Sequence, residues 1–243
     1  MRHTRDDKSR GTMTELITAT PERADEAERS GDLDTALRMW LEISSKTEKP
    51  EAYCQLSRIA FMLGKWQMAE TALFRNLEIG TNTPIAVGML GALFLRRTDG
   101  DRANNLETAR TWFLRSLEIS KSAPTLCLLG MVYLHLNEKE KAEEAWRTAI
   151  EVDEQWEEAY FNLGLLAKEG GNSEEAERLL RKTIQIDPKY LRAHVQLGAL
   201  LLKQGRRLEA DSEFRRCLEI DPTDKAAKSY FSRAGGPGPG DKK

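Results

Sequence analysis

Three histidines are the first candidates for acid–base or metal chemistry, because an imidazole can change its charge near neutral pH. His3, His135 and His194 are far apart in the sequence, and none belongs to a His-Glu-x-x-His motif. The sequence also lacks a phosphate-binding glycine loop and a Gly-x-Ser-x-Gly motif. The residues therefore predict a protein that is not an enzyme and needs no cofactor, with His194 packed in the core.

The three cysteines offer a second kind of chemistry, since a thiolate is both a nucleophile and a metal ligand. Cys54, Cys127 and Cys217 are separated by 73 and 90 residues and form no Cys-x-x-Cys pair. This spacing favours free thiols that pack as small apolar side chains. It also favours a reducing compartment, so we expect a cytoplasmic location.

Two aspartates near position 100 are the remaining candidates for a metal site. Asp99 and Asp101 alternate as the ligands of a calcium loop do. Ala103 occupies the next alternating position, and the segment lacks the glutamate that completes such a loop. We therefore predict no metal site in this chain.

Composition bounds the classes of partner. The chain has 243 residues, of which 37 are basic and 39 acidic, so its net charge is −2. Such a balance gives no overall attraction to nucleic acid or to an anionic membrane. Every apolar run is far shorter than the roughly 18 residues that span a bilayer, and residues 1–12 lack the apolar stretch of a secretory signal. We expect neither nucleic acid nor membrane as a partner.

A pattern with a period of 34 residues organises the chain. A Leu-Gly pair occurs at 129–130, 163–164 and 197–198, and an alanine follows each glycine after twelve residues. A bulky apolar residue comes four positions after each alanine, as in Ala176 and Leu180. Looser copies occur upstream, which gives six in all. Such a period is typical of a stacked helical repeat.

The spacing inside one copy predicts two helices. Tyr160, Leu163, Gly164 and Ala167 follow the i, i+3, i+4, i+7 pattern of one helix face. A turn at Gly171 separates them from a second helix, for which we predict Ser173 as the N-cap. Asp-Pro at 187–188 and at 221–222 ends two of the second helices. One such pair cannot bury its own apolar face, so it must stack on its neighbours.

These residues resemble the tetratricopeptide repeat (TPR) family over residues 17–224. The resemblance implies an all-α, right-handed α-solenoid of about six helix pairs, followed by a C-terminal capping helix at 225–234. The predicted repeats are 17–49, 50–83, 84–122, 123–156, 157–190 and 191–224. We expect a flexible N-terminal segment at 1–16 and a disordered tail at 235–243, because Gly and Pro dominate that tail.

In the TPR family the first helix of each pair lines a concave groove. Carried over position by position, the family pattern gives a groove that is apolar and rich in methionine at its centre and basic toward its C-terminal end. The predicted peptide-binding residues are Phe61, Met62, Met89, Leu95, Leu128, Met131, Phe161, Asn162, Arg192 and Lys203. We expect Met89, Leu128, Met131 and Phe161 to form the contact centre, with Arg192 and Lys203 attracting an acidic end of the partner.

Three interpretations of this groove remain open. A methionine-lined surface suits an amphipathic helix or an extended apolar peptide, which is the favoured interpretation. The same residues could instead pack inside a tightly wound superhelix, or they could form a homo-oligomer, which is less favoured. The carboxylate clamp by which some TPR domains bind chaperone tails is not expected, because only Asn162 matches its pattern and Arg192 stands where that pattern has lysine.

The predicted function is therefore that of a protein–protein interaction scaffold, adaptor or co-chaperone-like protein without chemistry of its own. The alternatives are a non-catalytic assembly accessory of an envelope or secretion complex, and a regulatory subunit of an enzyme. About six extra residues interrupt repeat three within 96–108. A surface insertion is favoured there over a finger that contacts the partner.

Overall fold

The computed structural model describes residues 19–80 and 83–234, and in these ranges every regular element is a helix. The predicted segments 1–16 and 235–243 lie outside the described residues. The described part forms two compact units, which divide between residues 81 and 82. Unit 1 contains α1 to α4, and unit 2 contains α5 to α13.

The helices follow one another in pairs. In unit 1 they are α1 (Pro21–Arg29), α2 (Leu33–Thr47), α3 (Pro50–Met62) and α4 (Trp66–Ile79). In unit 2 they are α5 (Pro84–Arg96), α6 (Arg102–Ile119), α7 (Ala123–His135), α8 (Lys139–Val152), α9 (Glu157–Glu169), α10 (Ser173–Ile186), α11 (Leu191–Lys203), α12 (Arg207–Ile220) and α13 (Lys225–Ala234). Each helix packs on the next one within its unit. The predicted all-α fold class, with six helix pairs and a terminal helix, is confirmed.

In α5, α7, α9 and α11 a glycine lies against a bulky residue of the following helix, as the repeat pattern predicts. A Cβ atom added to Gly91 would come within 2.6 Å of the Phe113 ring, and one added to Gly198 within 2.9 Å of the Phe214 ring. Both rings are buried, with at most 4% of their surface exposed. The glycines therefore set the distance between paired helices, and the rings fill the space between them.

The turn between the two helices of a pair contains a residue in the left-handed backbone conformation, with a positive φ. Gly171 has a φ of +83°, and Asn137 adopts the same region with a φ of 63° where other pairs have glycine. Such a conformation is open mainly to glycine and asparagine. The prediction that Ser173 caps α10 is wrong by one residue, because the Asn172 side chain accepts the hydrogen bond from the Glu175 amide at 3.2 Å.

The extra residues of repeat three mostly lengthen a helix. α6 has 18 residues where α8 has 14, and only residues 97–101 connect it to α5. Asp101 caps α6 by accepting from the Ala103 amide at 3.0 Å. The Arg102 guanidinium donates to the Leu95 carbonyl at 2.6 Å, and the Asn105 amide donates to the Asp99 carbonyl at 2.8 Å. The connection is thus fastened to both helices rather than projecting as a finger.

Candidate functional site

The first helices α5, α7, α9 and α11 of unit 2 carry most of the predicted binding residues, and we call their shared side the first-helix face. α5 contacts α7, and α7 contacts α9. α5 and α7 consist almost wholly of apolar residues, PIAVGMLGALFLR and APTLCLLGMVYLH. A helix that is apolar on all sides can pack on its neighbours and still leave apolar atoms in contact with solvent.

The apolar centre of this face is partly exposed. Ile85 at the start of α5 has 69% of its surface accessible, and Met89, Leu128 and Met131 are each partly exposed. Met131 also packs on the core cluster that contains Cys127 and Leu163. These four residues offer accessible apolar surface on two helices in contact.

Two predicted contact residues are placed in the core instead. Leu95 is 5% exposed, and Phe161 is fully buried. The Arg192 guanidinium lies 4.6 Å from the centre of the Phe161 ring, and the Tyr190 ring lies 5.1 Å from it. A ligand on this face would therefore meet the exposed Arg192 and not the phenyl ring beneath it.

Polar groups lie close to Arg192, where its side chain covers the Phe161 ring. Asn162 is 9% exposed, and its side-chain nitrogen has no hydrogen-bond partner among the described residues. Glu158 is half-buried, and desolvation raises the pKa of its carboxyl group while the nearby Arg192 charge opposes the rise. The positive charge of Arg192 thus stabilises the Glu158 carboxylate, and the same side chain covers the Phe161 ring.

Two lysines meet further along the face. The Lys168 ammonium donates to the Gln196 side chain at 2.7 Å. Burial lowers the pKa of Lys168, and the positive charge of Lys203 lowers it further. Lys203, a predicted site residue, is exposed. Lys168 and Gln196 are not among the ten predicted peptide-binding residues, but the family pattern places both of them in the groove, beside Asn162 on α9 and Arg192 on α11.

The two predicted residues of unit 1 belong to α3. Met62 is 53% exposed, whereas Phe61 is partly buried and its ring meets the Trp66 ring edge-on at 5.7 Å. Arg58 on the same helix forms an ion pair with Glu28 of α1. α3 therefore presents one accessible apolar side chain beside a neutralised charge.

The histidine and the thiols have structural roles in unit 2. His194 is 4% exposed, and its ring nitrogens lie 2.7 Å from a Glu213 oxygen and 3.2 Å from the Pro188 carbonyl oxygen. Burial raises the pKa of the Cys127 and Cys217 thiols to about 12, so both stay protonated at neutral pH. Among residues 19–80 and 83–233, no group of three histidine, cysteine or acidic side chains could hold a metal ion.

Comparison with known proteins identifies the repeat. Two family models, both described as tetratricopeptide repeat, match residues 127–190 and 167–230. Residues 127–230 are tetratricopeptide repeats. No curated protein matches the sequence of this chain. No helix in the described part of the chain is long and apolar enough to cross a membrane.

Solved structures share the TPR fold at low sequence identity. A chain of the APC/C hetero-tetramer Cut9–Hcn1 superimposes with a TM-score of 0.70 and 15% identity over 87% of this chain, which spans 41% of that longer chain. PilW, described as a widely conserved type IV pilus biogenesis factor, superimposes with a TM-score of 0.70 and 14% identity. The match covers 86% of this chain and 96% of PilW. YrrB, described as a TPR protein with an unusual peptide-binding site, superimposes with a TM-score of 0.52 and 18% identity. The match covers 78% of this chain and 95% of YrrB. Pseudomonas aeruginosa pilF superimposes with a TM-score of 0.67 and 12% identity, and the match covers 87% of this chain and 95% of pilF.

Proposed function

We propose that this TPR protein is a non-catalytic scaffold that binds an apolar or amphipathic segment of another protein on its first-helix face. The accessible apolar surface of α5 and α7, headed by Ile85 at 69% exposure, carries this proposal. Contiguous exposed apolar surface usually marks an interaction site. Flexible methionine side chains at Met89 and Met131 suit a partner helix or extended strand, because they adapt to its shape.

Affinity capture from native lysate, read by mass spectrometry, tests the proposal. We expect wild type to retain a partner that the Met89→Glu, Met131→Glu variant loses, because a charge on this face cannot be buried without cost. Ile85→Glu provides a second variant with little risk of unfolding. Leu114→Glu with Val152→Glu is the matched control, since both residues are 42% exposed and lie on second helices.

Melting curves decide how the capture result is interpreted. Each variant must keep the melting temperature of wild type, because Met131 also packs on the core. A partner retained by wild type and by all first-helix variants would overturn the placement of the site. Loss in the Leu114→Glu, Val152→Glu control alone would place the interaction on the second helices.

A second candidate is an assembly accessory of an envelope complex. PilW and pilF match this chain over almost their whole lengths, and PilW is described as a pilus biogenesis factor. Cell fractionation of the native organism distinguishes the two proposals. Recovery with the envelope fraction would support the accessory role, and recovery in the cytosol would support a cytoplasmic, co-chaperone-like adaptor.

A further inference from the structure

The first-helix face ends in a groove at the C-terminal end of unit 2, and none of the residues that line this groove is among the ten predicted peptide-binding residues. It has a volume of about 610 Å³ and is formed by α11, α12 and α13. α13 packs chiefly on α12, so the side of α11 that faces α13 stays open. The volume is within the range of about 300–1,000 Å³ that is usual for ligand pockets.

The floor and walls of this groove are mainly apolar. Phe214 of α12 forms the floor, and the Tyr230 ring of α13 stacks on it at 4.4 Å. The remaining lining comes from one side of α11 and one side of α13, namely Val195, Ala199, Leu202, Ala226 and Ser229. Bulky apolar side chains of a ligand would therefore be favoured in the groove.

Two arginines complete the lining. Arg207 and Arg233 are both exposed, and neither has a carboxylate partner among the described residues. The other arginines of α12 are paired, Arg215 with Asp211 and Arg216 with Glu219. The groove thus combines apolar walls with two positive charges that pair with no carboxylate among the described residues.

We infer that this C-terminal groove binds a peptide segment of another protein that carries both bulky apolar side chains and carboxylates. The inference depends on charge complementarity. A guanidinium group without a carboxylate partner can bind a carboxylate of a ligand through two parallel hydrogen bonds. The chain's own residues 235–243, GGPGPGDKK, do not fit, since they contain no bulky apolar side chain. The inference rests on the proposed scaffold function and adds a second, charge-selective site to it.

Selection of a random peptide library, displayed on phage, against the full-length chain tests the inference. We expect the selected peptides to be enriched in Asp or Glu together with Leu, Ile, Phe or Trp. Fluorescein-labelled synthetic copies, measured by anisotropy, should bind the Arg207→Glu, Arg233→Glu variant on the order of tenfold more weakly or worse. Binding should also weaken as salt is added.

Two matched variants separate the groove from general charge effects. Arg216→Glu with Lys228→Glu makes the same change of charge on α12 and α13, at exposed residues that do not line the groove, and should leave binding within about twofold. Ala199→Trp fills the groove from an exposed position and should abolish binding at an unchanged melting temperature.

The outcomes distinguish the two proposals. Peptides without acidic residues, or peptides that bind both charge variants equally, would overturn the inference, as would a selection that yields no peptide. Peptides lost with Met89→Glu, Met131→Glu but retained by Arg207→Glu, Arg233→Glu would support the scaffold function and overturn the groove. Binding of labelled full-length chain to itself, blocked by Ala199→Trp, would assign the groove to self-association and overturn the peptide partner.

Discussion

Gly130 and Gly164 occupy the same position in neighbouring repeats but have different surroundings. A Cβ atom on Gly130 would overlap with the indole of Trp146, whose ring nitrogen donates to the Cys127 carbonyl at 3.1 Å. A Cβ atom on Gly164 would come to 3.2 Å from Leu180, a flexible side chain. An added Cβ atom would thus clash severely at this repeat position in one helix pair and only slightly in the next.

The two alanine substitutions should therefore differ in effect. We expect Gly130→Ala to lower the free energy of unfolding by about 1–3 kcal/mol, because the buried indole has no room to move. Gly164→Ala should stay within about 1 kcal/mol of wild type, since the helix gain of alanine over glycine offsets a small shift of Leu180. Urea denaturation of both variants checks this, and equal losses would contradict it.

At the scale of elements, α13 closes the core of unit 2. Ala227 is fully buried, and Phe231 is 4% exposed within the cluster that contains Phe214 and Cys217. Asp224 holds the start of the helix by accepting from the Ala227 amide at 2.7 Å. The ten-residue helix thus substitutes for the next repeat by covering the apolar side of α12.

Phe231→Ala tests this capping role. Removal of a buried phenyl ring should lower the free energy of unfolding by about 3–5 kcal/mol. Ser232→Ala changes an exposed neighbour and should have an effect within about 0.5 kcal/mol. Chemical denaturation followed by circular dichroism measures both. A loss below about 1 kcal/mol for Phe231→Ala would mean that α13 contributes little to the core.

At the scale of the whole molecule, ionisable groups set two limits on stability. Hydrogen bonds from Arg206 lower the pKa of Glu177 and of Glu209 below the ordinary 4.5. Burial raises the pKa of Cys127 and Cys217 from 9.0 to about 12. The unfolded chain therefore binds more protons in acid and releases more in alkali than the folded chain does.

The melting temperature should accordingly be highest between about pH 6.5 and 9.0, because burial also lowers the pKa of His135 below 6.5 and the unfolded imidazole takes up its proton first as the pH drops. Stability should fall further as the pH drops below 4.5, because the unfolded carboxylates take up protons before the folded ones do. It should fall again above 9.0, where unfolded thiols lose protons that the folded thiols retain. Calorimetric melts across this range measure it, and a shallower alkaline limb in Cys127→Ala would support the assignment. A melting temperature that rises below pH 4.5 would contradict it.

The sequence predicted much of the helical architecture and less of the site. The Gly91, Gly130 and Gly198 positions and their bulky partners follow the period, because helix pairing depends on residues close together in the chain. The burial of Phe161 and Leu95 could not be predicted in this way. Family position places a side chain on a face, but Arg192, which covers Phe161, comes from another helix pair.

The all-α class, the number of helix pairs and the identity of the repeat can all be predicted from the amino-acid sequence. Those properties depend on hydrophobic periodicity and on turn residues, which act over a few helical turns. The packed molecule was needed to show which apolar residues stay accessible, that the extra residues of repeat three lengthen α6, and that Arg207 and Arg233 line one groove. These properties depend on contacts between separate helices, and the positions of such contacts follow from packing rather than from local sequence.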